Sequence, residues 1–151
     1  MKITINNQKE LELFAKKIAK KIKPGDFFLL DGDLGAGKTT FVAAIMKTFK
    51  TDDVVCSPSF TIINRYSSKF SVYHIDLYRI SSDNELYDMD MDNYFNKKEA
   101  VFFIEWAERM GQLKPENRLE LRFSYSEDNG SFDKRELEII AIGSSYERFL
   151  K

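Results

Sequence analysis

At 151 residues the chain has room for one domain with a full hydrophobic core and none for a second. Hydrophobic residues at 43%, charged residues at 31%, 13 Phe and 7 Tyr exclude a disordered chain and predict an aromatic-rich core. Lys plus Arg number 23 against 24 Asp plus Glu, a formal net charge of -1 that excludes nucleic-acid binding driven by a basic surface alone. The lone Cys56 excludes an internal disulfide and a Cys-based zinc cluster, and the absence of a signal-peptide run or a membrane-length apolar stretch predicts a cytoplasmic protein.

Met1 to Ile5 alternates like a short strand, and Leu11, Phe14, Ala15, Ile18, Ala19 and Ile22 then recur at helical spacing until Pro24-Gly25. Lys16, Lys17, Lys20, Lys21 and Lys23 fall on the solvated face of that helix. Phe27-Phe28-Leu29-Leu30 is an apolar run suited to a strand buried on both faces. Gly32 to Thr39 follows, and Thr39 opens a helix carrying Phe41, Val42, Ile45, Met46 and Phe49. Thr61 to Tyr66 and Phe70 to Tyr78 flank Ser67-Ser68-Lys69 as an antiparallel hairpin. One or two short helices are expected between Ser81 and Asn96, where Asp83, Glu85, Asp88, Asp90 and Asp92 alternate with Leu86, Tyr87, Met89 and Met91. That segment is either a solvated helix or a surface for a partner. Val101-Phe102-Phe103-Ile104 is a further buried strand. Arg118 to Tyr125 and Arg135 to Ala141 are strands separated by a turn-rich loop, Ser126 to Asp133, and a short helix closes the chain. The predicted fold is α/β: a single P-loop NTPase-like domain, residues 1–151, whose mixed, mostly parallel central sheet is flanked by helices and carries an antiparallel hairpin.

Gly32-Asp33-Leu34-Gly35-Ala36-Gly37-Lys38-Thr39 is a complete Walker A loop between a strand and a helix, the setting that motif requires. A triphosphate concentrates negative charge, and a helix N-terminus offers unpaired N–H groups with partial positive charge. Glycines let the backbone approach. Gly35, Ala36 and Gly37 would then cradle the β-phosphate, Lys38 would reach the β and γ oxygens, Thr39 would ligate Mg2+ and Thr40 would lie on the α-phosphate side. A magnesium nucleotide also calls for a carboxylate at the end of a neighbouring strand. Glu105, after four apolar residues, fits best, and Asp76, after Val72-Tyr73-His74-Ile75, is a looser version. Either acid could instead be a strand-end cap paired with Arg79 or Arg109.

Gly32 to Thr40, Ser57-Pro58-Ser59-Phe60-Thr61, Tyr73-His74-Ile75-Asp76-Leu77-Tyr78-Arg79 and Ile104-Glu105-Trp106, in that order, resemble the TsaE (YjeE) family. Lys114-Pro115-Glu116-Asn117-Arg118-Leu119 resembles the family's stretch before its late strands. The resemblance implies a small, slow ATPase that binds ATP and Mg2+ and works with TsaD and TsaB, the transfer chemistry belonging to TsaD. The complex makes N6-threonylcarbamoyladenosine at position 37 of tRNA, and the ATPase meets tRNA only through that complex. It further implies metal contacts from Thr39 and Glu105, activity roles for Asp76 and Trp106 beside Lys38, and a mobile Ser57 to Thr61 loop near the γ-phosphate. Ser59 stands where Thr is usual, keeping the hydroxyl without the β-branch.

Other residues carry less. His74, amid apolar neighbours, reads first as a packed histidine, and Cys56, with no basic neighbour, as a buried structural thiol. A small nucleoside or metabolite kinase is the alternative function, but no clustered arginines suggest the lid such an enzyme needs. Asn96-Lys97-Lys98-Glu99 approaches a guanine-reading motif, yet it precedes a strand rather than following one, so ATP is expected over GTP.

Overall fold

A computed structural model of the chain describes residues 1–125 and 134–151. Strands β1 (Lys2–Ile5), β2 (Phe27–Gly32), β3 (Ile63–Ser67), β4 (Ser71–Asp76), β5 (Ala100–Glu105), β6 (Arg118–Tyr125) and β7 (Arg135–Ile142) form one seven-stranded sheet in the order β1-β7-β6-β2-β5-β4-β3. β2 lies parallel to β5 and β6, and β4 parallel to β5, whereas β1 with β7, β6 with β7, and β3 with β4 are antiparallel. Five of the seven strands therefore run the same way, the mixed and mostly parallel sheet expected, with the hairpin at one edge.

Period-two alternation divides the buried strands between two layers. Phe28, Leu30, Val72, Val101 and Phe103 face α1 (Gln8–Ala19) and α2 (Lys38–Thr48). Leu29, Tyr73, Ile75, Phe102 and Ile104 face α3 (Asp83–Asp88), α4 (Met91–Phe95) and the 3-10 helix Ala107–Leu113. β2 and β5 are buried on both sides, Phe28, Leu29, Leu30, Phe102, Phe103 and Ile104 being wholly inaccessible. A second 3-10 helix, Ser144–Leu150, stands where the closing helix was expected. It clamps the start of β2: Arg148 pairs with the buried Asp26, and the Tyr146 hydroxyl accepts the Phe27 N–H at 2.8 Å.

Element ends depart from the sequence reading for local reasons. α1 stops at Ala19, short of Pro24, because the Lys21 and Ile22 N–H groups bond three residues back, at 2.9 and 3.4 Å. α2 opens at Lys38 rather than Thr39, after Gly37 at φ 110°. β3 begins at Ile63 instead of Thr61: Ile62 adopts φ 66°, and its N–H bonds back to the Pro58 carbonyl at 2.6 Å. β4 ends at Asp76: the Leu77 N–H still bonds across to the Glu105 carbonyl at 3.1 Å, but the Tyr78 N–H turns back onto Asp76 Oδ1 at 2.9 Å. Leu86 and Met91 are buried core and Met89 packs against it, so the mixed segment's apolar residues mostly face inward, leaving Tyr87 exposed. The predicted loop Ser126 to Asp133 lies outside the described residues. No described helix is long and apolar enough to cross a membrane.

The Phe content has a specific use. Phe27, Phe102 and Tyr73 stack across β2, β5 and β4, with ring centroids 4.6 and 5.4 Å apart, and Phe28 stacks on Phe103 at 4.7 Å on the other face. Each of these pairs is directly opposed in the parallel register, so the rings lock strand alignment as well as burying area. Phe102→Ala, which opens a hole in that ladder, should cost about 3 to 5 kcal/mol in chemical denaturation. Phe60→Ala, at a residue 92% exposed, should change stability by less than about 0.5 kcal/mol.

Candidate functional site

The connection from β2 to α2 is the Gly32 to Lys38 loop, and its glycines answer to space and backbone angle. Gly32 has φ 135°, and a Cβ there would come within 2.2 Å of the Phe123 carbonyl oxygen on β6. Gly35 and Gly37 also have positive φ, 76° and 110°. The Tyr125 hydroxyl donates to the Leu34 carbonyl at 3.0 Å and the Arg135 Nε to the Ala36 carbonyl at 3.2 Å, so β6 and β7 brace the loop from outside. No side chain caps α2, which leaves its first amide groups for the loop's concave side.

Lys38 is 4% exposed, turned back over the loop so that Nζ donates to the carbonyls of Gly32 and Asp33, the latter at 2.9 Å. Its ammonium lies 4.3 Å from the Trp106 ring centroid, a cation–π contact. Burial pulls the Lys38 pKa below its ordinary value, against the opposing attraction of Glu105, Asp76, Glu108 and Asp31.

The parallel register sets Asp76 of β4 directly opposite Glu105 of β5, and Leu30 of β2 opposite Glu105 on the other side. Both acids are buried, at 6% and 3% exposure. The Thr39 hydroxyl donates to Glu105 Oε1 at 2.7 Å. Asp76 is bound otherwise: Oδ2 lies 3.0 Å from Ser57 Oγ and 3.3 Å from Ser59 Oγ, while Oδ1 accepts the Tyr78 N–H at 2.9 Å. These contacts, not an ion pair with Arg79 or Arg109, hold the two acids. Arg79 is exposed, 5.8 Å from the Phe60 ring, and Arg109 donates to the Ile80 carbonyl. Trp106 follows at φ 58°, its N–H bonded to the Leu30 carbonyl at 2.9 Å, which turns the ring back over Lys38 and against Tyr78, 5.0 Å away.

Lys38, Thr39, Asp76, Glu105 and Trp106 therefore meet at the carboxyl ends of β2, β5 and β4. Gly35, Ala36, Gly37 and Thr40 line the loop's other flank, where a cleft of about 140 Å3 continues past Asn7, Gln8 and Arg135. Asn96-Lys97-Lys98-Glu99 precedes β5 and so lies at the opposite end of the strands from the loop. Cys56 corrects the sequence reading: it is exposed rather than buried. His74, which the sequence favours as a packed histidine over one near phosphate or a partner, is fully buried, and both its ring nitrogens are engaged, Nε2 at 2.7 Å from Glu105 Oε1 and Nδ1 at 3.2 Å from the Tyr66 hydroxyl. The spacing His74-x-Asp76 held the signal, because residues two apart on a strand share a face. Nothing in the sequence marked Tyr66, Tyr125 or Asp31.

The Thr39 hydroxyl and Glu105 carboxylate supply two hard oxygen donors within hydrogen-bonding distance, a set suited to Mg2+ with its other positions filled by phosphate and water. No group of three or more His, Cys, Asp or Glu among the described residues could hold a metal ion by itself.

Strand, glycine loop and helix in this parallel setting make the chain an α/β domain of the P-loop NTPase type. Residues 5–137 match the family model described as threonylcarbamoyl adenosine biosynthesis protein TsaE. The chain belongs to the TsaE family. It is 37% identical over 142 residues, covering 93% of this chain and 85% of the relative, to the tRNA threonylcarbamoyladenosine biosynthesis protein TsaE of Bacillus subtilis. It is 38% identical over 129 residues to the protein of the same name from Rickettsia prowazekii, with 83% and 88% coverage. The crystal structure of Bacillus subtilis YdiB superposes with a TM-score of 0.81 at 32% identity, covering 99% of this chain and 90% of that one.

Asp31, beside the loop on β2, accepts the Glu108 N–H at 3.1 Å. Burial first, and then the neighbouring Glu108 carboxyl, push its pKa from 3.8 up to about 6. An acid whose pKa is higher folded than unfolded is disfavoured once ionised, so its contribution to stability falls as pH rises from about 4 to 6. Asp31→Asn should therefore stabilise the protein at pH 7.5 by on the order of 1 kcal/mol after solvent screening, with the gain vanishing near pH 3.5, as read by chemical denaturation at both pH values.

Proposed function

We propose that this chain, acting as one domain, is a Mg2+-dependent ATP-binding protein with slow ATPase activity. It supports TsaD and TsaB in threonylcarbamoyl transfer to adenosine 37 of tRNA, the t6A modification. The observation that carries the nucleotide reading is the meeting of Lys38 and Thr39 at the uncapped start of α2 with Glu105, 2.7 Å from the Thr39 hydroxyl, at the end of the neighbouring strand. The names of the relatives support the tRNA-modification reading.

In this reading the β- and γ-phosphates lie on the loop amides, and Lys38 leaves the Gly32 and Asp33 carbonyls for phosphate oxygens, which offer its buried charge a stronger partner. The nucleoside end runs past Thr40 into the cleft by Asn7, Gln8 and Arg135. Thr39 and Glu105 hold Mg2+, which when bound neutralises phosphate charge and polarises the γ-phosphoryl group. Asp76, set by Ser57, Ser59 and the Tyr78 N–H, orients the attacking water. Trp106 shields the Lys38 end of the site from solvent. Among the described residues no metal-holding cluster stands apart from this site, and in this reading the threonylcarbamoyl transfer belongs to TsaD. The nucleotide acts on the partner assembly, by contacts that differ between the ATP and ADP states.

Lys38→Ala should lower ATP affinity in calorimetry by roughly 100-fold or more, with GTP binding weaker than ATP in the parent protein; unchanged affinity would sink the loop assignment. Glu105→Ala should lower Mg2+-dependent hydrolysis roughly tenfold more than it lowers nucleotide affinity, because the loop contacts remain. The decisive experiment is reconstitution with TsaD, TsaB, unmodified tRNA and threonylcarbamoyl-adenylate. This protein should raise multiple-turnover modification, and neither bind tRNA tightly nor modify it alone. No effect on the partners over many turnovers would refute the proposal.

A further inference from the structure

His74 is an expensive residue for its place. It sits on β4 with no solvent exposure, opposite Phe103 and on the same face as Val72, where an apolar side chain would pack at no polar cost. Its two nitrogens are nevertheless both used. An ionised Glu105 can only accept, so Nε2–H donates to Oε1 across 2.7 Å, onto the same oxygen that receives the Thr39 hydroxyl. A threonine hydroxyl rotates freely, whereas an imidazole packed in a strand does not. The ring is thus the rigid member of the pair that aims the carboxylate.

The chain of contacts continues away from the nucleotide side. Nδ1 meets the Tyr66 hydroxyl at 3.2 Å, and the same hydroxyl lies 3.1 Å from the Cys56 carbonyl. Tyr66 is 3% exposed on β3. Cys56 immediately precedes Ser57, so its carbonyl is the root of the loop whose hydroxyls hold Asp76. Thr39, Glu105, His74, Tyr66 and Cys56 form one continuous path of polar contacts from the start of α2 to the Ser57 to Thr61 loop; with Nε2–H given to Glu105, Nδ1 of the neutral ring and the Cys56 carbonyl are both acceptors served by the one Tyr66 hydroxyl proton.

We propose that His74 is a positioning residue: it fixes the direction of the Glu105 carboxylate and, through Tyr66, couples that carboxylate to the loop carrying Ser57 and Ser59. The inference rests on the reading of Glu105 as the metal-side acid. Because the linkage runs through side chains of β3, β4 and β5, a change at the loop root reaches Glu105 without passing through the nucleotide.

The test uses the full chain and three variants. His74→Phe keeps a planar aromatic ring and removes both contacts, His74→Gln keeps a donor for Glu105, and Tyr66→Phe removes the hydroxyl that joins Nδ1 to the Cys56 carbonyl while leaving the Nε2–Glu105 contact in place. In calorimetry, His74→Phe should leave ATP affinity without Mg2+ within about threefold of the parent, while the gain in affinity on adding Mg2+ falls roughly tenfold. In steady-state hydrolysis kcat should fall roughly tenfold with KM changed by less than about threefold. His74→Gln should restore the Mg2+ response to within about threefold of the parent. Tyr66→Phe should keep that response closer to the parent than His74→Phe does, and should speed amide hydrogen exchange across residues 56–62. Since the chain has a single His, its imidazole NMR signals need no assignment. The parent should show a protonated, slowly exchanging Nε2 that is lost in Glu105→Ala. The proposal is overturned if His74→Phe and His74→Gln give the same Mg2+ response, if His74→Phe lowers only the melting temperature, or if Nε2 carries no proton. Unchanged loop exchange in Tyr66→Phe removes the coupling to the loop. A parent protein that binds no ATP would instead defeat the nucleotide reading, and the imidazole spectrum would still report on the His74–Glu105 contact.

Discussion

The parallel register of β2, β5 and β4 is the constraint on which the site depends. It sets Leu30, Glu105 and Asp76 in one row at the strands' carboxyl ends, next to the turn that starts α2. A slip of one residue in β5 would send Glu105 to the layer of α3 and α4 and bring an apolar side chain to Thr39, because side chains alternate faces. The stacked rings of Phe27, Phe102 and Tyr73 on one face, and of Phe28 and Phe103 on the other, hold that register where backbone bonds alone would permit neighbouring alignments. Core and site are therefore the same strands: their apolar middles bury area, and their polar ends carry the chemistry.

Concentrating charge at those strand ends has a cost that the surroundings distribute. Lys38 is desolvated but faces Glu105 and Asp76, two loop carbonyls and the Trp106 ring. Trp106 reaches the ring position only through a left-handed backbone at φ 58°, which a tryptophan adopts at some expense, and the bond from its N–H to Leu30 holds it there. Ile62 at φ 66° closes the Pro58 turn in the same way, bringing Ser57 and Ser59 to Asp76. Of the four described non-glycine residues with positive φ, Lys50, Ile62, Asp90 and Trp106, two flank the proposed phosphate position, where they fix a side chain or a loop.

The two acids differ in their partners more than in their burial. Glu105 receives a threonine and a histidine, both from regular elements, and is held rigidly. Asp76 receives two serines from a loop. A metal site benefits from the first arrangement, and a group that must adapt to a moving water or phosphate benefits from the second. That contrast supports Glu105 as the metal-side acid and Asp76 as the water-side acid.

Much of this was legible from residue order. The Gly32 to Thr39 loop could be read without coordinates because its chemistry is carried by the backbone and by consecutive residues, and Phe27 to Leu30 and Val101 to Ile104 declared themselves as strands buried on both faces by unbroken hydrophobicity. The ends of β3 and α1 were misplaced, since a left-handed Ile62 and a tightened turn at Lys21 have no compositional mark. Cys56, with no basic neighbour in sequence, reads as a buried thiol, although its loop leaves it exposed. What only the tertiary structure decided is who meets whom across the sheet. His74 reads as core from its neighbours in sequence, and becomes a partner of Glu105 only when two strands separated by α3 and α4 lie side by side in register. The physical reason is that local sequence dictates periodicity and backbone preference over a few residues, whereas a contact across 31 positions is set by strand order and alignment, which arise from packing of the whole core.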